Sequence, residues 1–161
     1  MRWCWLLMLM VGLLAATPPG TGQPEVGAQG GPRFETVDVF VDSGAAGLGA
    51  WQVEVKAVGR DAEKVKLVGV EGGEHAAYKA APYYDPAALH EGQMQERIVI
   101  AAFSTNADLP TGKTRVARLH VQVDGAGGAE YVVKVMAAAK GDGTKIDVTA
   151  SAGPVATGDG R

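Results

Sequence analysis

Residues 97–123, RIVIAAFSTNADLPTGKTRVARLHVQV, constrain the fold more than any other part of the chain. They open with a continuous apolar run, Ile98-Val99-Ile100-Ala101-Ala102-Phe103, and a polar loop with Pro110 and Gly112 follows. They close on strict alternation. Ala117, Leu119, Val121 and Val123 face one way, and Arg118, His120 and Gln122 face the other. A continuous β-rich run fits a strand covered on both faces, whereas an alternating run fits a strand with one wet face. Together they predict an antiparallel sandwich and argue against a helical protein.

The same alternation recurs elsewhere. Val37, Val39 and Val41 share one phase, as do Trp51, Val53, Val55 and Ala57. Residues 65–70 form a third short run. Tyr131, Val133, Val135, Ala137 and Ala139 make another phase, and Ile146, Val148 and Ala150 a last one. At least seven strands are expected, divided by glycine-rich turns at 44–49, 59–61, 124–128 and 141–143. The best helical candidate is a single turn at 86–90, capped by Asp85. The expected core holds Val53, Val55, Ile98, Ile100, Leu119, Val121, Val133 and Val135.

Residues 1–16 read as a signal peptide. Arg2 gives a positive start, and residues 3–16 are an uncharged, mostly apolar stretch of 14 residues. That is short for a membrane span, which needs about 20. Residues 17–32 are rich in Gly, Pro, Thr and Gln and read as a flexible linker. One domain is expected over 33–152 and a disordered tail over 153–161. This organisation predicts a secreted, periplasmic or cell-surface protein with no membrane insertion after cleavage. The single cysteine, Cys4, falls inside the signal segment. The exported chain then has no disulfide, thiol nucleophile or thiolate metal site. It keeps 14 basic against 18 acidic residues without a basic cluster, which argues against nucleic acid as a partner.

The motifs of common chemistries are missing. His75, His90 and His120 show no metal-binding spacing, and no D-x-D-x-D-G calcium loop occurs. Ser43, Ser104 and Ser151 are the only serines, and none lies in G-x-S-x-G. The expectation is a non-enzymatic protein with no cofactor and no metal site. The distinctive surface feature is the long connection at 71–96, which carries His75, Tyr78, Tyr83, Tyr84 and Asp85. A loop of this length either packs over the core or binds something. Tyr83 and Tyr84 are adjacent, so in an extended segment they point to opposite sides. One is expected to pack inward and the other to meet a partner. Tyr83, Tyr84, Asp85 and His75 are therefore the first candidate binding residues. The polar strand face of Arg118, His120 and Gln122 is the alternative.

The order of elements resembles the cohesin domain, a jelly-roll sandwich of bacterial extracellular proteins. Ala50-Trp51-Gln52-Val53-Glu54-Val55 and Val65-Lys66-Leu67-Val68-Gly69-Val70 look like its early strand pair. Arg97-Ile98-Val99-Ile100-Ala101-Ala102-Phe103 looks like its central strand, and residues 114–123 look like the strand after the glycine-containing loop. Where that family often has a Tyr-Asp-Pro turn between the first two of these elements, this chain has Gly59-Arg60-Asp61, and Tyr84-Asp85-Pro86 falls later. The resemblance implies an all-β, antiparallel jelly-roll sandwich. It also implies a module for protein–protein or cell-surface assembly, with a dockerin-like protein as partner. The alternative is a carbohydrate-binding module, taking a polysaccharide.

Overall fold

The computed structural model describes residues 31–59, 64–89, 96–125 and 127–155. The expected signal peptide, nearly all of the linker and the end of the tail lie outside the described residues. Eight strands occur: β1 (Arg33–Asp42), β2 (Ala50–Gly59), β3 (Lys64–Gly72), β4 (Tyr83–Tyr84), β5 (Arg97–Phe103), β6 (Lys113–Asp124), β7 (Ala129–Ala139) and β8 (Thr149–Pro154). They form two four-stranded antiparallel sheets, in the orders β3-β6-β1-β8 and β4-β5-β2-β7. We term these sheet A and sheet B. The described residues are all-β apart from two short 3-10 turns, Ala76–Tyr78 and Pro86–Leu89. The second turn lies where the helical turn was expected, and the Asp85 carboxylate accepts the Ala87 N–H at 2.9 Å.

Both sheets turn a valine-rich face into one shared core. Val37, Val39, Val41, Leu67, Leu119, Val121 and Val123 come from sheet A, and Trp51, Val53, Val55, Ile98 and Ile100 from sheet B. β-Branched side chains suit this role because they pack densely on a pleated surface. Six of the eight expected core residues are fully enclosed, while Val133 and Val135 are half-buried at its margin. They lie on β7, which has a neighbour on only one side of its sheet.

Two bulges shift the alternation read from the sequence. Between Val39 and Phe40 the partner on β6 moves from Ala117 to Arg115, so both Val116 and Ala117 are buried. Between Gln52 and Val53 the partner on β7 moves from Ala137 to Val135. Beyond that bulge Ala138 points into the core and Ala137 is exposed, the reverse of the expected phase. An extra residue in one strand inverts every inward position past it.

Three further expectations need correction. β5 is not covered on both faces: Ile98 and Ile100 are buried, but Val99 and Ala101 are half-buried and Phe103 is exposed. Among the described residues, its free edge is paired only with the two residues of β4. The last strand begins at Thr149, not near Ile146, because residues 145–148 cross from the edge of sheet B to the edge of sheet A. Pairing of β8 with β1 then continues through Gly153 and Pro154, beyond the expected boundary at 152.

Tyr78 closes the core on the side of the long connection. Its ring meets Trp51 edge-on at 5.9 Å, and its hydroxyl donates to the Leu48 carbonyl. Burial raises this hydroxyl to about 12. The Tyr131 hydroxyl is shifted the same way, first by burial and then by its 3.0 Å bond to Glu35.

Two predictions follow from these packing facts. Leu119→Ala removes atoms that nothing can replace and should lower the unfolding free energy by about 2–5 kcal/mol, whereas the outward Gln122→Ala should change it by less than about 0.5 kcal/mol. Urea denaturation of the two variants checks the difference. Alkaline pH should also destabilise the fold. The folded chain keeps the Tyr78 proton, while the unfolded chain releases its own near pH 10. That contribution is complete below pH 10 and is lost as pH rises toward 12. The urea midpoint should therefore fall between pH 9 and pH 11, and fall less steeply in Tyr78→Phe.

Candidate functional site

The long connection reaches the outer face of sheet B through β4. Tyr83 pairs with Ala101 and Tyr84 with Ile100. Because the period along a strand is two, the tyrosines separate. Tyr84 packs against the core and Tyr83 stands outward with 71% exposure. The Tyr83 ring lies nearly parallel to Phe103, at 7° with centroids 6.3 Å apart. Phe103 is itself 65% exposed. Two large aromatic rings thus stand in solvent side by side, an arrangement the composition gives no reason to expect.

Their surroundings make the pair a site. Tyr83 divides two depressions on the outer face of sheet B. One, of about 360 Å³, has a floor of Ala50, Ala101, Ala137 and Ala139, with the rings on one side and Gly143 and Lys145 on the other. The floor is shallow because four of its positions carry only a methyl group. Register explains the grouping: Gln52 lies between Ala101 and Ala137, and Ala50 between Phe103 and Ala139. The second depression, of about 440 Å³, lies on the other side of Tyr83, where Asp85, Arg97 and Val99 line it.

The far wall is a rigid turn. Lys140 N–H donates to the Thr144 carbonyl at 2.8 Å, and Gly143 takes a positive φ of 84° that a side chain would strain. The Asp142 carboxylate accepts the Thr144 N–H at 2.9 Å, and that bond holds its carboxyl below the usual range. Gly49 passes so close to this turn that a Cβ there would meet the Gly141 backbone at 2.4 Å. The turn is thus locked against the start of β2.

The other expected site residues lie elsewhere. His75 caps the first 3-10 turn, where its Nδ1 accepts the Ala77 N–H at 3.2 Å. Its Nε2 is 3.7 Å from an Asp108 carboxylate oxygen in the β5–β6 loop. It serves the connection, and no contact joins it to Tyr83. His90 lies outside the described residues. Asp85 stands beside Tyr83 at the rim of the larger depression while capping the second turn.

Arg118, His120 and Gln122 lie on the outer face of sheet A, as expected, but their polar groups are engaged there. Arg118 holds both oxygens of Asp38, at 2.7 and 3.1 Å, and this contact raises its pKa. Arg115 approaches the same carboxylate at 3.8 Å. His120 Nε2 lies 2.8 Å from Glu71, and Gln122 donates to Asp124 at 2.9 Å. A ligand would have to displace these contacts. Comparison with protein-family models, with curated proteins and with solved structures finds no match for the chain.

The sequence gives no expectation that Phe103 stands beside Tyr83 or that the alanines gather into one floor. The available signal was alanine recurring at period two, Ala137 with Ala139, in strands that otherwise favour larger side chains. The separation of the tyrosines gives a direct test. Tyr84→Ala should cost about 1.5–3 kcal/mol of stability. Tyr83→Ala, which loses only an exposed ring contact, should cost no more than about 1 kcal/mol. Thermal melts of the two variants measure the difference.

Proposed function

We propose that this chain is an exported, non-enzymatic binding module that engages a protein partner through the outer face of sheet B, in surface or extracellular assembly. The apolar patch carries the reading. Tyr83, Phe103 and the alanine floor lie together there, and Met136, next to Ala137, is 51% exposed. Large contiguous apolar patches on soluble proteins mark interaction surfaces, and tyrosine offers much contact area for little side-chain entropy. The cohesin-like reading of the sequence points to the same class of protein. Eight antiparallel strands in two four-stranded sheets suit a jelly-roll design, which has that strand count. A dockerin-like protein is the partner implied by the resemblance.

A second reading, polysaccharide binding, rests on one observation. The two near-parallel rings stand beside Gln52 and Lys145, so a sugar ring could stack while its hydroxyls reach polar groups.

Capture experiments with the protein as bait separate the readings. The wild type should retain a specific partner from the extracellular fraction, and the Tyr83→Ala/Phe103→Ala double variant should lose it while staying folded by circular dichroism. Arg118→Ala should still capture it. Equal capture by the wild type and the double variant would sink the assignment of this face. Retention on insoluble polysaccharide, abolished by the same double variant, would favour the second reading.

A further inference from the structure

Each sheet has two edge strands, and three of the four carry a device that discourages pairing. β4 is only two residues long. β8 is six residues long and ends in Gly153-Pro154, where proline has no N–H to offer. β3 carries Lys64 and Lys66 and a register shift between Leu67 and Gly69. Short length, proline, lysine and bulges are the usual protections of a sheet edge.

β7 is the least protected: its one lysine, Lys134, is balanced by Glu130, its register shift lies past Val135, and its eleven residues, AEYVVKVMAAA, include no Gly or Pro. Its last residues are occupied, since Ile146 N–H donates to the Ala138 carbonyl at 3.1 Å and Ala139 bridges to Lys145. From Ala129 to Val135, before the bulge, its only strand partner among the described residues is β2. Val132 is 58% exposed on the outer face, where Glu130 and Lys134 flank it at period two. Tyr131, Val133 and Val135 are half-buried on the inner face. The edge therefore offers backbone groups, an exposed valine and an unfinished margin of the core.

We propose that this edge docks β7 of a second copy of the chain, antiparallel, with a two-fold axis through Val132. The charges fix the register. Antiparallel pairing about Val132 sets Glu130 opposite Lys134 of the second copy, and Lys134 opposite its Glu130. Val132 meets its own counterpart, and Tyr131 meets Val133 across the inner face. Moving the axis to Tyr131 or Val133 leaves neither charge opposite its complement. An axis between residues would set inward side chains against outward ones, which the pleat forbids. Glu130 need not be free for this: it lies on the solvent face, and the second Lys134 adds to whatever it already contacts. The result is an isologous contact joining two sheets B into one continuous eight-stranded sheet. It also covers the half-buried Val133 and Val135. This surface is separate from the alanine-floored depression, so either can hold without the other.

Light scattering of the purified full-length chain over a concentration series tests it. The mass should rise to that of two chains. Glu130→Lys and Lys134→Glu each turn two symmetry-related attractions into repulsions, and each should weaken dimerisation about tenfold or more. The double variant Glu130→Lys/Lys134→Glu should restore it. Val132→Asp offers an independent arm. It faces Lys56 within its own sheet but sets like charges across the axis, so it should give a folded single chain. A single-chain mass for the wild type at every concentration overturns the proposal. So does a two-chain mass that survives Val132→Asp, or a folded double variant that stays single.

Discussion

The contact between Tyr78 and Trp51 holds the long β3–β5 connection to the body of the protein, and the exposed aromatic pair depends on it. Tyr78 is the one fully buried aromatic side chain among the connection's described residues, while Tyr84 is only half-buried against the core. Tyr78 supplies an edge-on ring contact and a hydroxyl bond to the Leu48 carbonyl. Its own carbonyl accepts the Gly73 N–H at 2.7 Å, which returns the chain to the end of β3. Five residues later Tyr83 can therefore enter sheet B at a fixed height against Ala101. The buried tyrosine provides order, and the exposed one can use it.

The two outer faces have opposite characters. Sheet A spends its charges on one another, with Asp38 between Arg118 and Arg115 and Glu71 against His120. The exposed Glu71–His120 pair contributes little to stability, whereas the Asp38 carboxylate is held half-buried between its two arginines. These contacts engage the charged groups of this face with one another, although Phe34 on β1 stands 71% exposed among them. Sheet B concentrates its methyl groups and rings, with Arg97 tied to Glu54 at 3.0 Å near the other end of the sheet. The Asp38 and Glu71 pairs thus gather on one outer face and the small apolar side chains on the other.

Most of the fold was legible because alternation reports burial directly. The phases of β1, β2 and β6 were right at Val37, Val53 and Leu119, and the turn at 86–89 and its Asp85 cap were also readable. Errors arose where one residue was inserted. The bulge opposite Gln52 inverted Ala137 and Ala138, and local sequence carries no strong mark of a bulge without glycine. Val99 departs from the continuous run for another reason: it points to the outer face of sheet B, where it lines an open depression. Of the candidate site, Tyr83 and its separation from Tyr84 could be anticipated. The alanine floor could not, because it is assembled from β2, β5 and β7 by cross-strand register, and single-chain patterns are silent about which strands become neighbours. His75 was grouped with the tyrosines by proximity in sequence, yet it points toward Asp108.

The pairing of β1 with β8 brings together the places where the folded body begins and ends. Val37 lies opposite Pro154, and the Val155 N–H donates to the Thr36 carbonyl at 2.8 Å. The polypeptide therefore enters and leaves at nearly one point. Segments attached there would emerge side by side, so the domain hangs as a pendant and adds almost no length between them. Tension on both ends would load the β1–β8 ladder from that point, one hydrogen bond after another, and not all in parallel. The architecture suits an appendage displayed from a tether better than a spacer that must carry force.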